Sequence, residues 1–463
     1  MAGKNEIYPL RNRRELFLDD QLTAAVSGET ALRQHFPNRE APAPSRPVGY
    51  YQTNIQERGK RQEDDFVRCY YRGIRAGYNG DLYDGNPGEY TGYAESRDGI
   101  HWTRPELGLF PDYPDFPGDT IWVGTMETHN FAPFRDDNPA CPPEERYKAV
   151  AGIRDCGGLF RFCSADGIRW RKMSEEPCLR IPEGGYLQFD SQNVCFWSAF
   201  EQCYVIYFRV YVAPDAPVLP ASPVWDDACR RSVARSTSTD FLHWTEPVVL
   251  KMNRPGEHLY VSLLAPYFRA PHICIGTPTR FFGARGAATD ITFCHTRNGI
   301  DILRPFPGAW IAPGPDPARW GNRSNYLAYG IVQTGPKEIS LYHCISQVRY
   351  TLRLDGFASL HAGVEGGTWE SVPMEYAPGR WEFNVATSAG GAFQVGFADA
   401  EGRALPGFDL DDCELFFGDE IAMTPRWKGG EEPPLRPGQP FRLRFRMTEC
   451  DVFSFRCAPQ LDK

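Results

Sequence analysis

One seven-residue box recurs four times and restricts the chain to folds assembled from repeated small sheets. It reads SRDGIHW from Ser96 to Trp102, SADGIRW from Ser164 to Trp170, STDFLHW from Ser238 to Trp244, and, weakened, TRNGIDI from Thr296 to Ile302. Its aspartate or asparagine falls at 98, 166, 240 and 298, giving spacings of 68, 74 and 58 residues. A period of this length holds one four-stranded sheet. Within each copy, Asp-Gly supplies a tight hairpin turn and the tryptophan packs between neighbouring sheets.

The segments between the boxes support this. Runs such as FVRCYYRG, RYKAVAGI, CYVIYFRV and EISLYHCI are rich in aromatic and β-branched residues and bounded by Gly, Pro, Asp or Asn, the signature of strands. No long amphipathic helix stands out. The expected fold is all-β, a five-bladed β-propeller followed by a C-terminal β-sandwich, with radial repetition hiding most sheet edges. The blades are expected near residues 48–105, 127–175, 188–248, 257–305 and 322–350. The fifth shows three strands, so the N-terminal run from Glu15 to Asp20 is expected to complete or seal the ring, with Asp19 and Asp20 as its polar end. Domain boundaries follow: 1–350 as a propeller catalytic domain and 351–463 as a β-sandwich accessory domain, the latter a Gly-rich meander without boxes.

Charge narrows the partners. With 50 Lys and Arg against 59 Asp and Glu, the net charge is −9, and no block of five like charges occurs, so a nucleic-acid backbone is a poor partner. No apolar run reaches the roughly 18 residues of a membrane span, and the N-terminus lacks the apolar core of a secretory signal. A cytoplasmic protein is expected. The 14 Cys include no C-x-x-C pair and read as buried reduced thiols, with neither a metal nor another cofactor expected.

Candidate site residues come from where polar side chains sit in the repeat. The innermost strand of each blade begins with an unusually polar group: His129 and Asn130, then Asp190, Gln192 and Asn193, then Glu257, His258 and Tyr260, then Asn325 and Tyr326. Burying so many polar groups without function is costly, so they point to a wet funnel. The second strands end at Arg72, Arg154, Arg209 and Arg280, with His343 at the matching place in the fifth blade. Arginines in register suggest a mouth that grips carboxylate, sulfate or phosphate oxygens.

The boxes, the order of five blades and a sandwich, and FDSQNVCFW from Phe189 to Trp197 resemble the five-bladed glycosidases of glycoside hydrolase families 32 and 43. HNFAPF, ERYKAVAG, FDSQN, YFRAPH and YGIVQTGP are similar to uncharacterised bacterial family 32-like proteins. The resemblance implies that Asp190 is the aspartate that stabilises the transition state or tunes the acid, and that Glu257 is the general acid. It departs from family 32 where Glu127, His129 and Asn130 stand in place of Asn-Asp-Pro, and where Ser191 follows Asp190 and His258 follows Glu257. The expected function is hydrolysis of a short oligosaccharide, neutral or anionic, by an Asp190 and Glu257 acid/base pair. The alternatives are a glycoside phosphorylase whose arginines hold phosphate, or a non-catalytic carbohydrate-binding propeller. The sequence leaves oligomeric state open.

Overall fold

The structure, a computed structural model, describes residues 7–59, 65–124, 126–153, 156–180, 189–212, 230–376 and 378–459. The chain divides into two compact units, Pro37–Thr351 and a second composed of Met1–Phe36 with Leu352–Lys463. The first 36 residues therefore belong with the C-terminal unit, not with the domain of residues 1–350 expected from sequence. Among the described residues the regular elements are strands and short 3-10 turns, and no helix is long and apolar enough to cross a membrane. The thirteen described cysteines are all unpaired.

The larger unit is a succession of antiparallel sheets. The first holds Thr53–Glu57, Phe66–Ile74, Glu89–Ser96 and Thr120–Trp122, and the second Ala132–Arg135, Tyr147–Ala151, Gly158–Ser164 and Arg171–Lys172, with Leu179–Arg180 at its edge. The third holds Val194–Ser198, Cys203–Val212, Arg230–Ser238 and Val248–Val249. In the region of the fourth lie two three-stranded sheets, His258–Leu259 with Thr279–Phe282 and Ala288–Ile291, and Ala265–Tyr267 with Ala270–Gly276 and Cys294–Thr296, which keep one register, Cys274 opposite Thr296 and Thr279 opposite Ile291. The next sheet holds Val332–Gly335, Glu338–Tyr342 and Val348–Arg353, and its fourth strand is Asn38–Pro42.

The closing strand is thus not the expected one. Glu15–Leu16 pairs with Phe455 and Ser454 inside the C-terminal unit to which all four belong, while Asn38 and Pro42 pair with Thr351 and Val348. The reason is burial: Phe17 packs edge-on against Trp369 at 5.2 Å and near Phe445 at 6.1 Å in the core of the C-terminal unit. That unit is a hydrogen-bonded network of long strands, in which Pro440–Ala458 pairs with both Ala358–Ser371 and Arg380–Asp399.

The recurring box is a longer loop than the expected tight hairpin. Asp98 accepts from the backbone N–H of Ile100 and His101, while Ser96 accepts from Gly99; Asp166, Asp240 and Asn298 make the same backbone bonds in their copies. The fourth position has positive φ in every copy, from +64° at Phe241 to +76° at Gly299, which glycine adopts without a Cβ clash. Each box also ties its sheet to the preceding one. Tyr70 donates to the Gly167 carbonyl at 2.9 Å, Tyr207 to Gly299 at 2.8 Å, and Tyr342 of the last sheet to Gly99 of the first at 2.8 Å. Where Phe241 replaces glycine, its ring packs on Phe134 of the second sheet at 5.7 Å. Tyr342→Phe leaves the Gly99 carbonyl without its donor and is expected to lower the free energy of unfolding by about 1–3 kcal/mol in urea titrations.

The first strands meet at one end. Thr53 bridges Tyr329 in parallel, Gln192 reaches Thr53 at 2.7 Å, Ser191 reaches the Tyr260 carbonyl at 2.9 Å, and Thr289 accepts from the Asn325 N–H at 3.0 Å. That convergence positions the site.

Candidate functional site

At this meeting point Asp190 is held on a turn that ordinary residues avoid. Phe189 and Ser191 on either side have φ of +63° and +91°, a strained arrangement for residues with side chains. Two amides secure it: Asn130 donates to the carbonyls of Phe189 at 2.8 Å and Ser191 at 3.2 Å, and Asn193 donates to the same two at 3.0 and 3.1 Å. Gln192 holds the adjacent backbone of the first sheet. These three expected substrate contacts are instead the frame that presents Asp190, whose side chain keeps 20% exposure.

Charged groups surround that carboxylate. Arg209, almost fully buried, donates to Asp190 Oδ2. Burial pushes the Asp190 pKa up, but Arg209, His129 and Arg323 outweigh it and hold the carboxyl well below its usual range. His129 is 1% exposed, with Nε2 3.8 Å from Asp190 and Nδ1 3.8 Å from both Asp84 and Glu89. Neither ring nitrogen has a hydrogen-bond partner. Burial favours the neutral ring, yet the carboxylates of Asp190 and Glu89 facing it raise its pKa above the ordinary 6.5.

A second carboxylate lies on the other side of the imidazole. Asp84 receives a bidentate pair from Arg323 at 2.9 Å for both bonds, and Arg72 reaches it at 3.5 Å. Arg72 also meets the fully buried Glu89 at 2.5 Å. Burial opposes ionisation of Asp84, but His129, Arg323 and Arg72 lower its pKa. One oxygen each of Asp84 and Asp190 and a ring nitrogen of His129 all lie within 4.8 Å of one another. This spacing suits a cation, but both carboxylates already face guanidinium groups, so the donor set holds a proton with less repulsion than a divalent ion.

Aromatic rings wall the cluster. Tyr51 stands edge-on to His129 at 5.5 Å and to Tyr326 at 6.1 Å, and Tyr260 lies under Arg209 at 4.4 Å and edge-on to Tyr326 at 5.7 Å. Thus Arg72, His129, Asp190, Arg209, Tyr260 and Tyr326 are brought together.

Other expected site residues are occupied elsewhere. Arg304 donates to both Glu257 oxygens, at 2.5 and 2.9 Å, and the Arg254 N–H donates at 3.0 Å, while no hydrogen bond or ion pair joins Glu257 to Asp190 among the described residues. Arg280 forms a bidentate pair with Asp290 directly across the strand and donates to the Pro307 carbonyl. Asn325 braces Arg319 and the Thr289 carbonyl. His258 Nδ1 accepts from the Arg231 backbone at 3.3 Å. His343 bonds Ser346, and burial together with nearby Arg319 drives its pKa down to about 3. Arg154 lies outside the described residues. Sequence reasoning missed Asp84, Glu89, Tyr51 and Arg323.

No protein-family model and no curated protein matches the chain. Solved structures of similar course include one described as a glycoside hydrolase, with 11% identity and a TM-score of 0.43 over 69% of this chain and 91% of that one. An N-acetylgalactosamine deacetylase from F. plautii, in complex with blood group B trisaccharide, has 10% identity and a TM-score of 0.43 over 96% of each chain. The beta-1,2-mannobiose phosphorylase from Listeria innocua has 10% identity and a TM-score of 0.41 over 74% of this chain and 98% of that one.

Proposed function

We propose that the chain is a carbohydrate-active enzyme that cleaves a glycosidic bond, on a five-bladed β-propeller whose blades are the successive sheets of the larger unit. The box contacts that link the second, third and fourth sheets each to the one before it and the first to the last, with the Asn325 N–H bond to Thr289 between the fourth and fifth, support the architecture. The observation that carries the function is the pair of partly exposed carboxylates, Asp84 and Asp190, with one oxygen of each within 4.8 Å and a buried imidazole between them. Glycoside cleavage needs one group that stabilises positive charge at the sugar carbon and one source of a proton for the leaving oxygen. Asp190, kept ionised by Arg209, takes the first role. His129 holds the proton, and Asp84, 25% exposed and beside Nδ1, passes it outward. Glu257 is left out of the reaction because its side chain is 7% exposed, against 25% for Asp84, and no hydrogen bond or ion pair joins it to Asp190 or His129 among the described residues.

Arg323 favours a second reading. Across the cluster from Arg209, which holds Asp190, it is 35% exposed beside Asp84, where a guanidinium can meet a phosphate that replaces water as the nucleophile. Incubation with a panel of oligosaccharides, with and without inorganic phosphate, tests both. Free sugar without phosphate supports hydrolysis, sugar phosphate supports phosphorolysis, and an untouched panel removes the enzyme reading.

The proton assignment gives a pH dependence. Activity is expected to fall as pH rises through the raised pKa of His129, above 6.5, and to fall in acid as the depressed carboxyls of Asp84 and Asp190 protonate. Stability shares the first limb. A histidine whose folded pKa is raised stabilises fully below 6.5 and loses that contribution as pH rises through the folded value. The stability gap between wild type and His129→Gln is therefore expected to shrink above pH 6.5 in denaturant titrations; a gap constant from pH 5 to 9 refutes the assignment.

A further inference from the structure

Beside the cluster, on the side of the first sheet, lies a cavity of about 430 Å³ whose lining includes Arg75, Glu89, Asp112, Tyr113, Asp115 and Phe116. We infer that this cavity is a subsite for an uncharged, hydroxyl-rich glycosyl residue of the substrate, an inference that rests on the carbohydrate reading above. Its volume suits a small ligand of one or two sugar rings.

The lining has the two elements that sugar recognition requires, an apolar ring face and carboxylate acceptors. Tyr113 is 50% exposed but braced: its ring packs against Phe110 at 6.3 Å and Phe116 at 6.0 Å. Phe116 in turn meets Tyr90 at 5.9 Å, and Tyr90 meets the buried Tyr71 at 6.1 Å. A ring held by such a ladder loses little freedom when a sugar stacks on it. Asp112 is exposed and makes no hydrogen bond or ion pair among the described residues, so its oxygens are available to sugar hydroxyls.

Charge sets the specificity. Two exposed carboxylates, Asp112 and Asp115, line the cavity against one arginine, and Arg75 is already paired with Asp115 at 3.2 Å, while the Glu89 carboxylate behind the wall is fully buried against Arg72. A uronate or sulfate there meets Asp112 without a free guanidinium to offset it, whereas a neutral sugar donates its hydroxyls. This reverses the anionic substrate expected from the arginines in sequence, since Arg72, Arg209 and Arg280 each face a carboxylate of the protein. Glu89 joins the cavity to the reacting groups: it lines the one and lies 3.8 Å from His129 in the other. A sugar held here anchors the substrate next to the bond that is cleaved, so its binding energy serves the reaction.

The test uses full-length Asp190→Asn protein, whose turnover is expected to be at least about 10²-fold lower, on an array of neutral, uronate-bearing and sulfated oligosaccharides. Neutral glycans are expected to be retained in preference to anionic ones. Titration of the best neutral glycan is expected to show affinity about tenfold weaker in Tyr113→Ala and near normal in Tyr113→Phe, which keeps the ring. Retention of no neutral glycan, a preference for anionic glycans, or unchanged affinity in Tyr113→Ala overturns the subsite. The cleavage reading fails separately: if neutral glycans bind through Tyr113 but wild type cleaves none, the subsite stands and the enzyme falls. If wild type cleaves a glycan and Tyr113→Ala leaves its KM unchanged, only the subsite falls.

Discussion

Asp190→Asn is expected to lower turnover by at least about 10²-fold, the scale of losing a group that acts directly on the reacting atoms. The substitution keeps the shape of the side chain, and the turn around it is held by Asn130 and Asn193 through backbone carbonyls that the change does not touch. What is lost is the negative charge. Arg209 then stays buried without its carboxylate, so a fall in stability accompanies the fall in rate. Circular dichroism at the assay temperature separates the two effects. Asp84→Asn is expected to behave similarly in rate, with Arg323 as the group left unpaired. Near-normal turnover in folded Asp190→Asn removes Asp190 from the chemistry. Retained sugar binding without any turnover, in wild type as in variant, turns the site into a binding module.

Why some of this site was legible and some was not follows from what each residue pairs with. His129, Asp190, Arg209 and Arg72 stood out because polar residues at strand starts and ends interrupt apolar runs, and the structure brings them together. Asn130, Asn193 and Gln192 were equally visible, but an amide that holds a backbone turn and one that holds a sugar look the same in sequence. Arg280 was misread for want of pairing information. Its partner Asp290 is directly opposite on the next strand, and such cross-strand pairs depend on register. Asp84 left no trace because it lies in a stretch rich in Gly, Asn and Asp from Gly77 to Gly88, where an acid reads as turn chemistry.

The fold shows the same division. The box identified the sheets and their order because one local turn recurs with its own side-chain caps, independent of anything distant. The strand that completes the last sheet could not be found the same way. Asn38–Pro42 is exposed along most of its length and carries no alternation of apolar and polar residues. Glu15 to Leu18, by contrast, is buried, and that apolar signal belongs to the C-terminal unit. Hydrophobic pattern reports that a strand is buried without reporting against what.

Glu257→Gln is expected to cost stability and not rate, the opposite of what a general acid would show. The carboxylate is at the centre of a buried pair: Arg304 donates to both oxygens and also to the Met252 carbonyl at 3.0 Å and Thr292 at 3.3 Å, and both side chains are nearly inaccessible. Removing one partner of a buried pair strands the other charge, a loss of about 3–5 kcal/mol. Glutamine keeps one acceptor oxygen, so about 3 kcal/mol is the expected loss, read as a lower midpoint in urea titrations. Replacing both partners, as in Glu257→Met with Arg304→Met, strands no charge and is expected to recover most of it. If folded Glu257→Gln instead loses about 10²-fold in turnover with an unchanged midpoint, the acid is Glu257 after all, and Arg304 must release it when substrate binds. Near-normal turnover with the lower midpoint leaves His129 and Asp84 as the proton source, because no other carboxylate contacts Asp190 or His129 among the described residues except Glu89, which Arg72 holds.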